Sequence, residues 1–361
     1  MKCFEQITEI NFQDLKCDYF DLEHSVFFDI ETTGFSPKNS YIYLIGCMYK
    51  SGDKMAIKQW FLDDYNTEKE LLCDFMNFIN SYATLITFNG DNFDIPFVNG
   101  RLNRHKILKN LDNFTSHDLY KYASKLKKML RLPNLKLKTI ESFLGINRED
   151  VFSGGDLINV YHAYSESKDE KLLKVLLLHN FEDVLAMPTL LNIYAYQEII
   201  DGRFDVTEIS INERNENSDK KEALISCCLH NNIMSRVSFG VGDYYCTAFG
   251  NSLKFKINIY NGELKYFYKD YKDYYYLPDE DRAIHKSVAF YVDKDYRVKA
   301  KAATCYSKKT STFIPQPSEL LDNYFKIEYA DKTSYIELDE EFINNKDIIK
   351  EYLMGLLKYL V

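Results

Sequence analysis

The stretch SVFFDIETTG, residues 25–34, decides how this chain is read. Residues 25–30 form a short, largely apolar run, the signature of a buried strand. Asp29 and Glu31 stand two apart at its end, so their side chains share one face of the strand. Two carboxylates aimed the same way ionise together cheaply only when a cation lies between them. Magnesium and manganese prefer such oxygen ligands. The pair alone is weak, because 54 acids in 361 residues give roughly eight acid-x-acid pairs by composition. Its setting is more specific: apolar residues flank it, and Thr32-Thr33-Gly34 follows.

Outward from this strand the pattern is α/β. Residues 41–49 (YIYLIGCMY) and 56–62 (AIKQWFL) read as two further strands around the turn Ser51-Gly52-Asp53, which makes antiparallel neighbours. Residues 67–81 have helical apolar spacing, and Thr67 with Glu70 predicts a capping box. A strand at 84–88, a turn at Asn89-Gly90, helices near 94–109 and 120–130 and a short helix at 138–146 follow. Residues 168–187 carry the clearest helix, with Pro188 predicted to break or restart it. The expected fold is a mixed sheet flanked by helices. From about residue 205 the character turns to β. The polar run 211–222 reads as a linker or exposed turn, and 253–268 alternates around Asn261-Gly262 like a two-residue hairpin. Strands are expected at 287–292 and 324–329, and a closing helix at about 339–360. The expected domains are 1–204, α/β, and 205–361, mostly β (α+β).

Two more segments carry acids in apolar company. In TFNGDNFDIPFV, residues 87–98, Asp94 follows a strand and a turn where a helix begins. A helix cap explains an Asp there equally well. In LLLHNFEDVLAM, residues 176–187, His179 and Asp183 lie four apart on one helix face. Buried among leucines they need partners, and each could satisfy the other.

Taken in order, these three segments resemble the DEDD exonucleases of the RNase H-like superfamily, over roughly residues 22–200. FFDIETTG is similar to their first motif, NGDNFD to their second and HNFEDVLAM to their third. Within the superfamily the chain is most similar to the bacterial YprB-like branch. The resemblance implies that Asp29, Glu31, Asp94 and Asp183 bind two divalent cations, Mg²⁺ or Mn²⁺, and that His179 orients or deprotonates the attacking water. It implies metal-dependent hydrolysis of DNA or RNA, 3′–5′ and exonucleolytic. It also implies that Thr32, Asn89 and Phe93 touch a terminal nucleotide, although Phe93 fits a plain core position as well. One departure stands out. The main subfamilies place Tyr four residues before the last Asp, or His five before it; His179 stands at the tyrosine's spacing. The alternatives left open are a catalytically degenerate nucleic-acid-binding or scaffold protein on the same fold, and a structure-specific endonuclease.

Composition narrows the classes further. With 46% hydrophobic and 27% charged residues, a packed core is expected and global disorder excluded. A formal charge of −9 excludes a protein coated in positive charge, though not a local basic groove. Eight cysteines without paired spacing argue against a zinc cage or a disulfide framework. With no signal-peptide pattern and no long apolar run, the expectation is a cytoplasmic protein without a membrane span. No P-loop and no G-x-S-x-G motif occur.

Between 101 and 138 eleven Lys or Arg face two Asp, a strip expected to border the site and hold phosphates, with Lys125, Lys127 and Lys128 at its centre. A solvated helix face would have the same composition. Residues 274–309 mix aromatics with seven Lys or Arg after Arg282, a combination suited to single-stranded nucleic acid. An alternating strand with one polar face predicts the same mixture. His285 beside acids reads as a surface residue before a second catalytic centre.

Overall fold

A computed structural model of the chain describes residues 1–146, 154–213 and 221–361. These divide into two units, Met1–Gln197 and Glu198–Val361.

The first unit is built on six strands: β1 (Lys2–Asn11), β2 (Ser25–Thr32), β3 (Ile42–Ser51), β4 (Lys54–Phe61), β5 (Thr84–Thr87) and β6 (Thr115–Asp118). Their order in the sheet is β1-β4-β3-β2-β5-β6. The short β3–β4 turn, with Gly52 at φ +64°, forces an antiparallel pair, and β1 and β2 also pair antiparallel with their neighbours. β2, β5 and β6 run parallel, joined through helices α1 (Glu68–Ile79) and α2 (Asp94–Arg104). The fold is therefore the expected mixed sheet flanked by helices, RNase H-like in architecture.

After β6 come α3 (Leu119–Leu130), α4 (Leu137–Phe143), α5 (Gly154–Ser167), α6 (Glu170–Leu190) and α7 (Ile193–Ile200). Asp169 caps α6 by accepting the Lys171 N–H at 2.8 Å. The apolar side of α6 packs over β2, β3 and β4. Trp60, Phe61, Phe75 and Tyr161 close the core between sheet and helices. A second buried knot sits beside it: Glu68 takes Arg101 Nε at 2.8 Å, His105 Nε2 at 2.7 Å and the Ile42 N–H at 3.0 Å.

Local details depart from the sequence reading. Thr67 does not cap α1; its hydroxyl donates to the Asp64 carbonyl at 2.7 Å. Pro188 does not break α6, which continues to Leu190, since a proline in the last turn forfeits one backbone bond near an end that frays anyway. The α2 helix stops at Arg104, where Lys106 turns left-handed.

The second unit holds three small sheets. β7 (Phe204–Glu213), β8 (Lys221–Val241) and β9 (Tyr244–Asn258) form one. Residues 214–220 of the expected linker lie outside the described residues. Its ends belong to paired strands, Glu213 opposite Lys221, so the polar run joins a hairpin. β10 (Tyr260–Phe267) leaves β9 and joins β14 (Tyr306–Gln316) and β15 (Ser334–Glu337). Asn261-Gly262 is thus not a hairpin turn. Both residues lie within β10 opposite Thr312 and Ser311, and the Thr312 hydroxyl donates to Asn261 Oδ1 at 2.8 Å. β11 (Tyr274–Leu277), β12 (Arg282–His285) and β13 (Val298–Lys299) make the third sheet. The expected strand at 287–292 is instead α8 (Lys286–Ala289) and a turn, because His285 caps it by accepting the Ser287 N–H. Residues 324–329 make only isolated bridges. The closing helix is split at Asn345, which ends α9 (Glu340–Asn344) and caps α10 (Lys346–Leu360) through Asp347 and Ile348 N–H. Among the described residues, no helix is long and apolar enough to cross a membrane.

Candidate active site

The parallel register fixes where the acids collect. Phe27 lies opposite Ile86, and Thr87 opposite Asp118, so β2, β5 and β6 end at the same edge of the sheet. The carboxyl ends of parallel strands are the usual place for a site. Asp29 and Glu31 leave the end of β2, and Asp94 opens α2. The α6 helix, lying across β2, brings His179 and Asp183.

The side chains are held individually. Asp94 accepts the Ile30 N–H of β2 at 3.0 Å, which ties α2 to the strand that carries Asp29. The Tyr43 hydroxyl donates to Glu31 Oε2 at 3.3 Å. His179 Nε2 lies 3.3 Å from Glu31 Oε1 and 3.6 Å from Asp183 Oδ2. The local His179–Asp183 pairing is thus only half of the arrangement. Glu31, His179 and Asp183 each offer a ligand atom, and those atoms lie within 4.8 Å of one another.

Electrostatics bind Asp29 and Asp94 to the same group. Burial pushes the Asp29 carboxyl well above the ordinary range, and the charges of Asp183, Asp94 and Glu31 push it further. The Asn180 amide offsets part of this, donating to Asp29 Oδ2 at 3.0 Å. Burial likewise raises Asp94 to about 7, with Asp118 and Asp183 adding to the effect. A buried set of hard oxygens that resists collective ionisation is the chemistry a divalent cation satisfies.

Three supports were not visible among the expected residues. Asn180 is fully buried and also accepts Gln59 Nε2 at 2.9 Å, so β4 holds the amide that holds Asp29. Gly46 of β3 makes room for it: a Cβ there would lie 2.8 Å from Asn180 Cγ and closer still to Oδ1. Asp118 takes the Asn89 N–H at 2.7 Å and the Tyr120 N–H at 3.0 Å, fastening the loop before Asp94 to the start of α3. The available signals were an amide next to His179 and an acid where a strand turns into a helix.

The expected substrate contacts sit in various places. The Thr32 hydroxyl donates to the Gly34 carbonyl at 2.8 Å, and Asn89 adopts φ +65° with its Oδ1 bound by Asn92. Phe93 precedes α2 and packs 5.5 Å from the Phe97 ring, partly in the core. Lys125 lies over the Tyr122 ring, while Lys127 and Lys128 are exposed on the last turn of α3. That turn is ~14 Å along the helix from Asp118. Arg101 is no part of an exposed strip, being buried against Glu68. His285 is an exposed helix cap.

Residues 26–195 match the family model of the RNase H superfamily. The uncharacterized protein YprB of Bacillus subtilis (strain 168) is 33% identical over 168 residues, 45% of this chain and 40% of that protein. A DNA polymerase of Ostreid herpesvirus 1 is 32% identical over 122 residues, 32% of this chain and 6% of the polymerase. The chain thus spans well under half of either relative. Among solved structures, the family B DNA polymerase from Pyrobaculum calidifontis is similar over 69% of this chain and 35% of its own, at 11% identity and TM-score 0.37. The zinc-bound E. coli ExoI–ssDNA complex is similar over 55% and 54%, at 12% identity and TM-score 0.29.

Proposed function

We propose that this chain, whose residues 26–195 are an RNase H-like domain related to YprB, is a metal-dependent nuclease acting on DNA or RNA. The observation that carries the reading is the meeting of Glu31, His179 and Asp183, whose ligand atoms lie within 4.8 Å of one another, beside a half-buried Asp29 that burial and the charges of Asp183, Asp94 and Glu31 raise. A fold has little reason to collect three acids around a fourth carboxyl unless cations join them. Asp29, Glu31, Asp94 and Asp183 would hold two divalent cations, Mg²⁺ or Mn²⁺. Bound there, such ions supply a water of lowered pKa and shield charge on the leaving oxygen of a phosphodiester.

The protein's own groups supply the rest. His179 Nε2, between Glu31 and Asp183, takes the proton from the attacking water, and those two carboxylates stabilise the imidazolium that results. Asn180 keeps Asp29 oriented, and Asp94 is fixed by β2 itself. The reaction is hydrolysis from a 3′ end, of DEDD type, with single-stranded ends as substrate. Exposed Lys125, Lys127 and Lys128 contribute phosphate contacts beyond the site.

The test uses end-labelled single- and double-stranded DNA and RNA with Mn²⁺ or EDTA, with Asp29→Asn as control. A ladder that shortens from the 3′ end in Mn²⁺ alone is expected. Internal cuts would assign an endonuclease. Metal-independent cleavage, or none on any substrate, would remove the reading.

A further inference from the structure

We infer that the β11–β12–β13 sheet and its α8 turn form a binding face for single-stranded nucleic acid. The segment 274–309 admits two readings from composition, and the structure separates them. An ordinary alternating strand would turn its aromatic rings into a core. Here the core of this sheet is closed by Ala283, Ala300 and Cys305, with Tyr268, Tyr274 and Tyr276 packed against them. Phe290, Tyr291 and Tyr296 lie outside it, 75%, 86% and 59% exposed. The Phe290 and Tyr291 rings are 5.4 Å apart and perpendicular, so their faces open in different directions.

Cations are set among these rings. Tyr275 and Lys299 are directly opposite in the β11–β13 pair, so their side chains share one face. Arg297 stacks over the Tyr275 ring at 5.0 Å and is anchored to the Ala289 carbonyl. Lys294 and Lys299 are exposed and make no ion pair among the described residues. From 282 to 301 six Lys or Arg stand against Asp293 and Asp295, in a chain whose net charge is −9. Exposed rings that stack on bases, interleaved with cations that hold phosphates, are what a single strand requires.

An anionic membrane would also attract aromatics and cations. It is the poorer match, because insertion needs a continuous apolar face, and Lys294, Arg297 and Lys299 interrupt the exposed Val288, Phe290, Tyr291, Tyr296 and Val298 along the chain. The inference goes beyond the proposed hydrolysis and does not need it.

Binding of fluorescein-labelled dT20 to the full chain, read by anisotropy in EDTA, tests the face apart from catalysis. Phe290→Ala/Tyr291→Ala should weaken binding by at least about 10-fold, since each stacked base contributes about 5- to 150-fold. Lys294→Glu/Lys299→Glu should weaken it and flatten the log K against log salt slope by roughly 1.4. All four positions are exposed, and unchanged circular dichroism confirms an intact fold. Wild-type affinity in both variants overturns the inference, as does no binding of dT20 by the parent chain. Binding to vesicles with 30% phosphatidylserine in place of dT20 overturns it in favour of a lipid surface. A chain that binds dT20 through this face yet hydrolyses nothing upholds the inference while removing the nuclease reading.

Discussion

Gly46→Ala should damage the site without touching any of its acids. The added methyl carbon would sit 2.8 Å from Asn180 Cγ and closer still to Oδ1, where ordinary contact begins near 3.4 Å. Neither side can yield easily, since Gly46 is in mid-strand and Asn180 is fully buried. The amide must therefore turn away. It loses the bond from Gln59, worth about 1 kcal/mol, and the bond to Asp29, worth about 1.5–3 kcal/mol while that carboxyl is ionised. Crowding adds about 1–3 kcal/mol. The total expected is about 3.5–7 kcal/mol. The chain carries one tryptophan, Trp60, buried in β4 of the first unit, so its fluorescence during urea unfolding reports on this unit. The double variant Gly46→Ala/Asn180→Ala removes the clash and should lose less than the two single losses added, by at least about 1 kcal/mol. A Gly46→Ala midpoint within about 0.5 kcal/mol of the parent, or strict additivity in the cycle, would refute the chain of support from β3 through Asn180 to Asp29.

Further expectations concern charge. Asp94 and Asp29 titrate higher folded than unfolded, so at these two sites the folded chain binds more protons; without metal, their contribution to stability is full below about pH 4 and is lost as pH rises through about 7. Melting followed at Trp60 should show this decline in EDTA and a smaller one in Mn²⁺; equal slopes would deny that cations occupy the acid group. Asp29→Asn should abolish hydrolysis, because an amide is a poor ligand for a hard cation, yet raise the melting temperature in EDTA at pH 8. His179→Ala should lower kcat by about 10²–10⁴-fold, and His179→Tyr should restore part of it, the spacing to Asp183 suiting a phenol; a wild-type rate and pH profile in His179→Ala would move the general base elsewhere. Arg101→Leu should cost the first unit about 3–5 kcal/mol at Trp60, because Glu68 stays buried with its charge, and Arg101→Leu/Glu68→Leu should recover much of that.

What could be read before the structure follows a physical division. Asp29, Glu31, Asp94, His179 and Asp183 were legible because each lies in apolar company, where a charge needs a reason. The mixed sheet was legible because β3 and β4 are joined by a tight turn and the later strands alternate with helices. Asn180 and Gly46 were not. Their meaning is a contact between β3 and α6 across more than a hundred residues, which local pattern does not encode. Asn261-Gly262 misled for a related reason. Alternation has the same period whether a strand pairs with its neighbour or with β14 far along the chain. Arg101 counted as one charge of a basic strip, and only the fold reveals Glu68 opposite it. The rings at 290–296 were ambiguous because composition does not say which side of a sheet is covered.

The position of α6 has a consequence for how the molecule comes into being. It is the last long helix of the first unit in chain order, yet it lies on β2, β3 and β4, which precede it by more than a hundred residues. A nascent chain emerging N-terminus first can form the sheet edge with Asp29, Glu31 and Asp94 while His179, Asn180 and Asp183 are still untranslated. Closing that loop of about 150 residues carries a chain-entropy cost that is repaid only once α6 packs on the sheet. On the proposed nuclease reading, activity would wait for that step. A ribosome-bound fragment ending near residue 165 would hold Asp29, Glu31 and Asp94 without His179, Asn180 or Asp183, and the proposed site would stay incomplete until α6 docks.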